Sequence, residues 1–232
     1  MALVADEGSG AGGLVRLADL IAEARGEAAS SLLLDNGDLL QGGALGDHLA
    51  ATGGFGPDNP HPMIAAMNAL GYDAAALGNH DLDYGVAFLQ KALSAAAFPV
   101  LCANLFRGEG GTLLPGHRVL EREFTDDAGR AQPLRIGLVG VLPPQVTGWN
   151  HRHLAGRFTA GDCVAAVREA VPRLRRDGAD LIVTLVHGGI SARSASRQEN
   201  AAAEIARLDG VDAVIAGHQH RLFPGPDFAG PD

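Results

Sequence analysis

Several residue types that define whole protein classes are scarce in this chain. Only two cysteines occur in 232 residues, Cys102 and Cys163, far apart and without C-x-x-C spacing. That excludes a disulfide scaffold and a zinc ribbon, and each thiol reads as a small buried apolar group. Aromatic residues make up 5%. Trp149, Tyr72 and Tyr84 stand in no pattern that would clamp a nucleobase, and each reads as packing. Lysine occurs once, at Lys91, so arginine carries the rest of the positive charge. We read that as compositional bias. Basic residues total 18 against 27 acidic ones, a net charge of −9. A chain without a basic excess is not built to coat nucleic acid. No apolar run approaches the roughly 18 residues of a membrane-spanning helix. The opening MALVADEGSGAGG has no basic n-region and no apolar h-region, so the chain as it stands shows no signal peptide.

What is present is a globular composition, 47% apolar and 19% charged. Glycine is in excess, with 32 residues, about twice the usual ~7%. It has no three-residue period, which excludes collagen and implies many tight turns. Helical and strand patterns alternate. Residues 14–25 place Leu14, Leu17, Ala18 and Ile21 on one face. Ser31 to Leu34 is a short apolar run that leads into Asp35-Asn36-Gly37-Asp38. Pro62 predicts a helix start and Gly71 its C-cap. Ala74 to Leu77 leads into Gly78-Asn79-His80-Asp81. Residues 86–96 read as helix; 99–103 and 135–142 read as strands, and the turn-rich 107–133 between them as a hairpin or excursion. Thr159 and Asp162 suggest a capping box for a helix to about Arg176, with Val164, Val167, Val171 and Leu174 buried and Pro172 as a kink or break. Leu181 to Val186 is a buried strand ending at His187. Residues 195–208 read as helix, and Asp212 to Ala216 as a last strand running into Gly217-His218-Gln219-His220. The whole is an α/β pattern in one domain, without repeat or linker.

Four apolar runs therefore end in glycine-flanked, metal-binding residue types: Asp38, Asn79-His80, His187 and His218-x-His220. In open α/β sheets, sites form at the carboxyl ends of strands. If these runs are neighbouring strands, their ends converge on one patch. A carboxylate, an amide oxygen and several imidazoles suit Zn, Mn, Fe or Co. A dinucleotide-binding reading of Gly137 and Gly140 fails, because the third glycine and a following helix are missing.

The segments GDLLQG (37–42), GNHDLDYG (78–85), the strand-end His187 and GHQH (217–220) resemble the calcineurin-like metallophosphoesterases. The longer stretches LLLDNGDLLQG, FPVLCANL, RIGLVGVLPPQVTGWN and GVDAVIAGHQHRLFPG look like the 5′-nucleotidase branch, and within it the bacterial 2′,3′-cyclic-nucleotide 2′-phosphodiesterase/3′-nucleotidases. The resemblance runs from Gly13 onward. It implies a layered α/β/β/α sandwich and a hydrolase acting on nucleotides through two divalent metals (Zn, Mn, Co or Fe). It implies that Asp38 bridges both metals, that Asn79, His187 and His218 bind the second, and that His220 helps bind the first. His80 faces the phosphate, oriented by Asp83; Asp81 is a structural residue of that loop. Small nucleotides are the implied partners, with neither nucleic acid nor membrane, and the periplasm is the implied location.

Two departures qualify this. The family pattern opens with D-x-H before the Gly-Asp motif, and no such pair precedes Asp38: Asp6, Glu7 and Asp19 are the only acidic residues before Glu23, and no histidine precedes His48. Residues 1–232 then read as one catalytic domain lacking its first D-x-H strand and the C-terminal nucleotidase domain. Met1 reads as an internal start or a cropped end. One metal, or weak binding, is expected of the chain as it stands. Alternatives are a 5′-nucleotidase or other phosphomonoesterase, and a folded metal-binding remnant without activity.

Overall fold

The computed structural model describes residues 13–108, 110–191, 198–225 and 228. Helix α1 (Leu14–Glu27) leads into a three-stranded parallel sheet of β1 (Leu34–Asp35), β2 (Ala74–Ala76) and β3 (Val100–Leu101), in that order. Crossovers carry α2 (Ala44–Thr52), α3 (Pro62–Leu70), a 3₁₀ turn (His80–Leu82) and α4 (Val86–Leu93). A short antiparallel pair joins β4 (Leu105–Arg107) to β7 (Phe158–Ala160). Strands β5 (His117–Thr125) and β6 (Ala131–Val141) form an antiparallel hairpin. Alongside β6, β8 (Leu181–Val186) and β9 (Ala213–Ala216) run parallel, giving the sheet order β5-β6-β8-β9. Between β6 and β7 lie two helical turns, α5 (Val146–Trp149) and α6 (His151–Leu154); α7 (Cys163–Arg176) precedes β8 and α8 (Ala202–Ile205) precedes β9.

Strand periodicity explains the layering. Along β6, Ile136 and Leu138 point inward to meet Ala74, Leu101 and Leu120 between the two sheets. Val139 and Val141 point outward, against Val164, Val167 and Leu174 of α7 and Ile205 of α8. On the far side, Ile64 and Met67 of α3 and Val86 and Leu89 of α4 cover Ala75 and Val100. The order is helix, sheet, sheet, helix, the α/β/β/α sandwich expected. Each fully buried leucine or valine contributes about 1.5–3 kcal/mol to holding it. At Gly140 the two sheets pass close together. A Cβ there would stand 2.5 Å from the Leu101 carbonyl oxygen, so this glycine serves packing, and no dinucleotide loop forms around it. No helix among the described residues is long and apolar enough to cross a membrane.

Several sequence expectations need correcting. The strand expected over 31–34 is only Leu34–Asp35. Thr159 does not cap a helix, because it pairs with Phe106 in the β4–β7 ladder. Asp162 is itself the N-cap, accepting from Ala165 N at 2.7 Å. Pro172 does not break α7, which continues to Arg176 with its apolar stripe buried on β6 and β8. The helix expected over 195–208 is the single turn α8; the 195–197 part of that expectation lies outside the described residues. The strands that lead into the candidate ligands are not all neighbours in one sheet. Asp38 and Asn79 follow strands of the first sheet; His187 and His218 follow strands of the second.

Candidate metal centre

The loops that follow β1 and β2 meet through a backbone contact that only glycine allows. After β1 the chain turns at Gly37 (φ 94) and Asp38 (φ 65). A Cβ on Gly37 would lie 2.5 Å from Gly78 N and 2.8 Å from His187 Nδ1, and one on Gly78 would collide with Asp38. The Gly-Asp and Gly-Asn-His loops thus pass in direct contact. Asn36 Nδ2 donates to Val186 O at 2.8 Å, tying the first loop to the end of β8.

His187 is centred in this junction. Its backbone N donates to Val141 O at 2.9 Å, and its Nδ1 lies 2.6 Å from Asn36 O. A carbonyl oxygen only accepts, so Nδ1 carries a proton and Nε2 faces the site. Around Nε2 stand Asn79 Oδ1 at 3.0 Å and Asp38 Oδ2 at 3.1 Å. Ligands held about 2.1 Å from a Zn-sized ion are themselves roughly 3–3.4 Å apart, so this spacing fits a shared ion. His218 completes the set. The donor atoms of Asp38, His187 and His218 all lie within 4.8 Å of one another. Glu199 Oε1 is 3.1 Å from His218 Nε2. A carboxylate only accepts, so Nε2 donates to it and Nδ1 is left to ligate. One carboxylate, one amide oxygen and two imidazoles form a donor set for a borderline divalent cation.

The charges of Asp38 and His218 agree with that use, while without an ion His187 is drawn towards its protonated form. Burial pushes the Asp38 carboxyl up, but the hydrogen bond and charge of His187, with the His80 N–H, outweigh it and hold the carboxyl below its ordinary range. Burial pushes the His187 imidazole down, but the Asp38 bond and charge and the Asn36 carbonyl carry it above its ordinary value. His218 is lowered, by burial first and only partly offset by Glu199. A neutral His218 is the ligating form.

His80 and Asp83 sit beside this group. His80 N donates to Asp38 Oδ1 at 2.8 Å. The His80 ring is half exposed, with Nδ1 2.7 Å from Asp83 Oδ2, which leaves Nε2 facing outward. Asp83 Oδ1 accepts from Asn150 Nδ2 at 2.8 Å. His220 is exposed and stands outside the three-residue group. His218 and His220, at φ 68 and 53, sit in left-handed turns rather than on a flat strand. Trp149, Asn150 and Glu199 have no mark in the sequence as site residues; only the stretch VTGWN, already part of the resemblance, lies at two of them.

A model of the calcineurin-like phosphoesterase family matches residues 2–222, and the chain belongs to that family. It is 41% identical over 219 residues to the 2′,3′-cyclic-nucleotide 2′-phosphodiesterase/3′-nucleotidase of Salmonella typhimurium, covering 94% of this chain and 34% of that protein. It is 38% identical over 226 residues to the trifunctional nucleotide phosphoesterase protein YfkN of Bacillus subtilis, covering 94% of this chain and 15% of that protein. The crystal structure of calcineurin-like phosphoesterase YfkN from Bacillus subtilis superposes with a TM-score of 0.91 at 36% identity, over 99% of this chain and 71% of that one. The chain thus spans about a third or less of the length of these curated relatives.

Proposed function

We propose that the chain carries the metal-binding core of a phosphoesterase that hydrolyses nucleotides, taking 2′,3′-cyclic nucleotides to 3′-nucleotides and then to nucleoside and phosphate. The observation that carries this is the convergence of Asp38 Oδ2 and Asn79 Oδ1 on His187 Nε2 at 3.0–3.1 Å. The similarity to relatives named for that activity supports the substrate class.

In this reading Asp38 would be a ligand to both of two divalent ions (Zn, Mn, Co or Fe), and Asn79, His187 and His218 would hold the second with it. His220 serves the first, together with a D-x-H pair that is not found ahead of Asp38 in these 232 residues. One ion, or weak occupancy, is therefore proposed for the chain as it stands. When bound, such ions lower the pKa of water from about 16 towards 7 and neutralise phosphate oxygens. The rest is done by side chains. With an ion bound, His187 and Glu199-supported His218 would present bare nitrogens to it. His80, its Nδ1 proton held by Asp83, presents Nε2 to the phosphate and, when Nε2 carries a second proton, gives that proton to the leaving oxygen. A periplasmic location belongs to the same proposal.

The test is to join the chain to a D-x-H strand ahead of Asp38 and assay it with Mn, Co or Zn. Hydrolysis of bis(p-nitrophenyl) phosphate and of 2′,3′-cyclic AMP, lost on chelation, is expected. If such a protein folds and binds metal but cleaves neither, the reading fails and a non-catalytic metal-binding role stands. Comparing 3′-AMP with 5′-AMP separates the 3′-nucleotidase from the 5′-nucleotidase.

A further inference from the structure

Two adjacent residues, Trp149 and Asn150, reach two different parts of the site. The Trp149 indole stacks on the His218 imidazole, with ring centroids 5.5 Å apart and planes 24° from parallel. Glu199 takes the same imidazole at Nε2, so the ring is fixed on a face and at an edge. The neighbouring Asn150 is 5% exposed and donates Nδ2 to Asp83 Oδ1 at 2.8 Å. The other Asp83 oxygen holds His80 Nδ1. Asn150 Oδ1 is buried and has no hydrogen-bond partner among the described residues. An amide that tolerates an unmatched acceptor is being kept for its donor end.

The segment that carries the pair is itself anchored. Val146 is fully buried, and Asn150 N donates to Val146 O at 2.8 Å. Thr147 Oγ1 accepts from Ala160 N at 2.9 Å. His153 Nε2 meets the Asp83 backbone oxygen at 2.9 Å, a third contact from this segment to the site. The segment follows β6, whose last carbonyl, Val141 O, takes the His187 N–H. Trp149 and Asn150 are therefore fixed to the strand beside one proposed ligand while they hold another ligand and the proton-carrying pair.

We propose that Trp149 and Asn150 are positioning residues that fix His218 and the Asp83–His80 pair from one peptide-linked anchor. Their role rests on the function proposed above. Trp149 sets the plane in which His218 offers Nδ1. Asn150 satisfies Asp83 on the side away from His80, so that the remaining oxygen stays aimed at Nδ1. Neither touches the reacting atoms.

Two measurements test this. The tautomer of His80, read by two-bond ¹H–¹⁵N NMR, needs no metal. The protein should show the Nδ1–H form, and Asn150→Asp, which keeps the shape but removes the donor, should convert it to a mixture, as should Asn150→Ala. Binding of Mn(II), followed by electron paramagnetic resonance, should weaken about 10-fold in Trp149→Ala, the range seen when supports of a ligand are lost. Trp149→Phe, which keeps a stacking ring, should restore most of it. An unchanged His80 tautomer in Asn150→Asp, or unchanged Mn(II) affinity in Trp149→Ala, overturns the shared role. If the unsubstituted protein binds no Mn(II), the Trp149 half and with it the joint assignment fall, while the proposed function is judged separately on the D-x-H-extended protein and the NMR result decides the Asn150 half.

Discussion

The buried carboxylate of Asp81 accepts the backbone N–H of Asp38 at 3.0 Å. It also takes Leu39 and Leu40 through Oδ1, at 2.8 and 3.0 Å, and Gly78 through Oδ2 at 2.9 Å. One side chain thus closes both loops of the site. It also offsets the strain at Asp38, whose φ of 65 costs a non-glycine residue about 1–2 kcal/mol. Burial pushes the Asp81 carboxyl up, with the Gly78 N–H pulling it back and the Asp38 charge pushing the same way as burial.

Asp81→Ala should therefore be severe. It leaves four backbone donors, three of them buried, without their acceptor and frees the Gly-Asp loop. A loss of about 3 kcal/mol or more is expected in urea unfolding. Asp81→Asn, which keeps one acceptor oxygen, should lose less. A loss under about 1 kcal/mol for the alanine variant would mean that water replaces the carboxylate and that the loops hold themselves.

Much of the fold is legible in the sequence because its signals are local. Pro62 sits at the first position of α3 and Gly71 closes it at φ 67. Val164, Val167, Val171 and Leu174 repeat at helical spacing and are all buried. The motif glycines are legible as turn residues for the same reason. What is not legible is set by contacts between distant segments. The short runs before Asp38 and before His187 read alike, yet they belong to different sheets, because pairing partners are chosen by packing across the sandwich. His218 and His220 look like alternating strand residues but lie in left-handed turns after β9 ends. Trp149, Asn150 and Glu199 touch the site from 69, 67 and 19 residues away in sequence, through contacts to His218 and Asp83. No spacing rule reaches that far.

Asp212 gives a pH-dependent contribution at the foot of β9. Its Oδ2 accepts from Ile182 N and from Arg175 Nη2, both at 2.7 Å. The Ile182 N–H, helped by Arg175 and opposed by burial, holds this carboxyl below its ordinary value. A carboxylate lowered on folding stabilises above its unfolded pKa of about 3.9 and loses that contribution as pH falls through the folded value. The group is partly exposed, so the size is a few tenths to about 1 kcal/mol. Asp212→Asn should lower the melting temperature at pH 7 by a small amount that shrinks below about pH 4. A difference that stays constant from pH 7 to pH 2 would show that charge plays no part.

Burial pushes both thiols, Cys102 and Cys163, up to about 12. Cys163 Sγ donates to Leu142 O at 3.1 Å inside the core. The thiolate is the reactive form, so neither should react with a thiol reagent at pH 8 while the chain is folded. Both should react in denaturant. Fast labelling of the native protein would show that the core beneath α7 opens readily.

His80 is the sharpest test of how the site divides its labour. Its backbone touches Asp38, but its ring turns away to Asp83, and only Nε2 is left free. His80→Ala should therefore keep the metal content of the D-x-H-extended protein unchanged. Loss of a proton donor costs about 10²–10⁴-fold in turnover when the leaving group needs the proton. A ribose oxygen needs it; p-nitrophenolate needs it far less. Turnover of 2′,3′-cyclic AMP should then fall much further than turnover of bis(p-nitrophenyl) phosphate. Asp83→Asn should follow the same order with smaller losses. An equal fall on both substrates would make His80 a stabiliser of phosphate charge rather than a proton donor. Loss of metal in His80→Ala would make it a ligand and break the division between His80 and the group around His187.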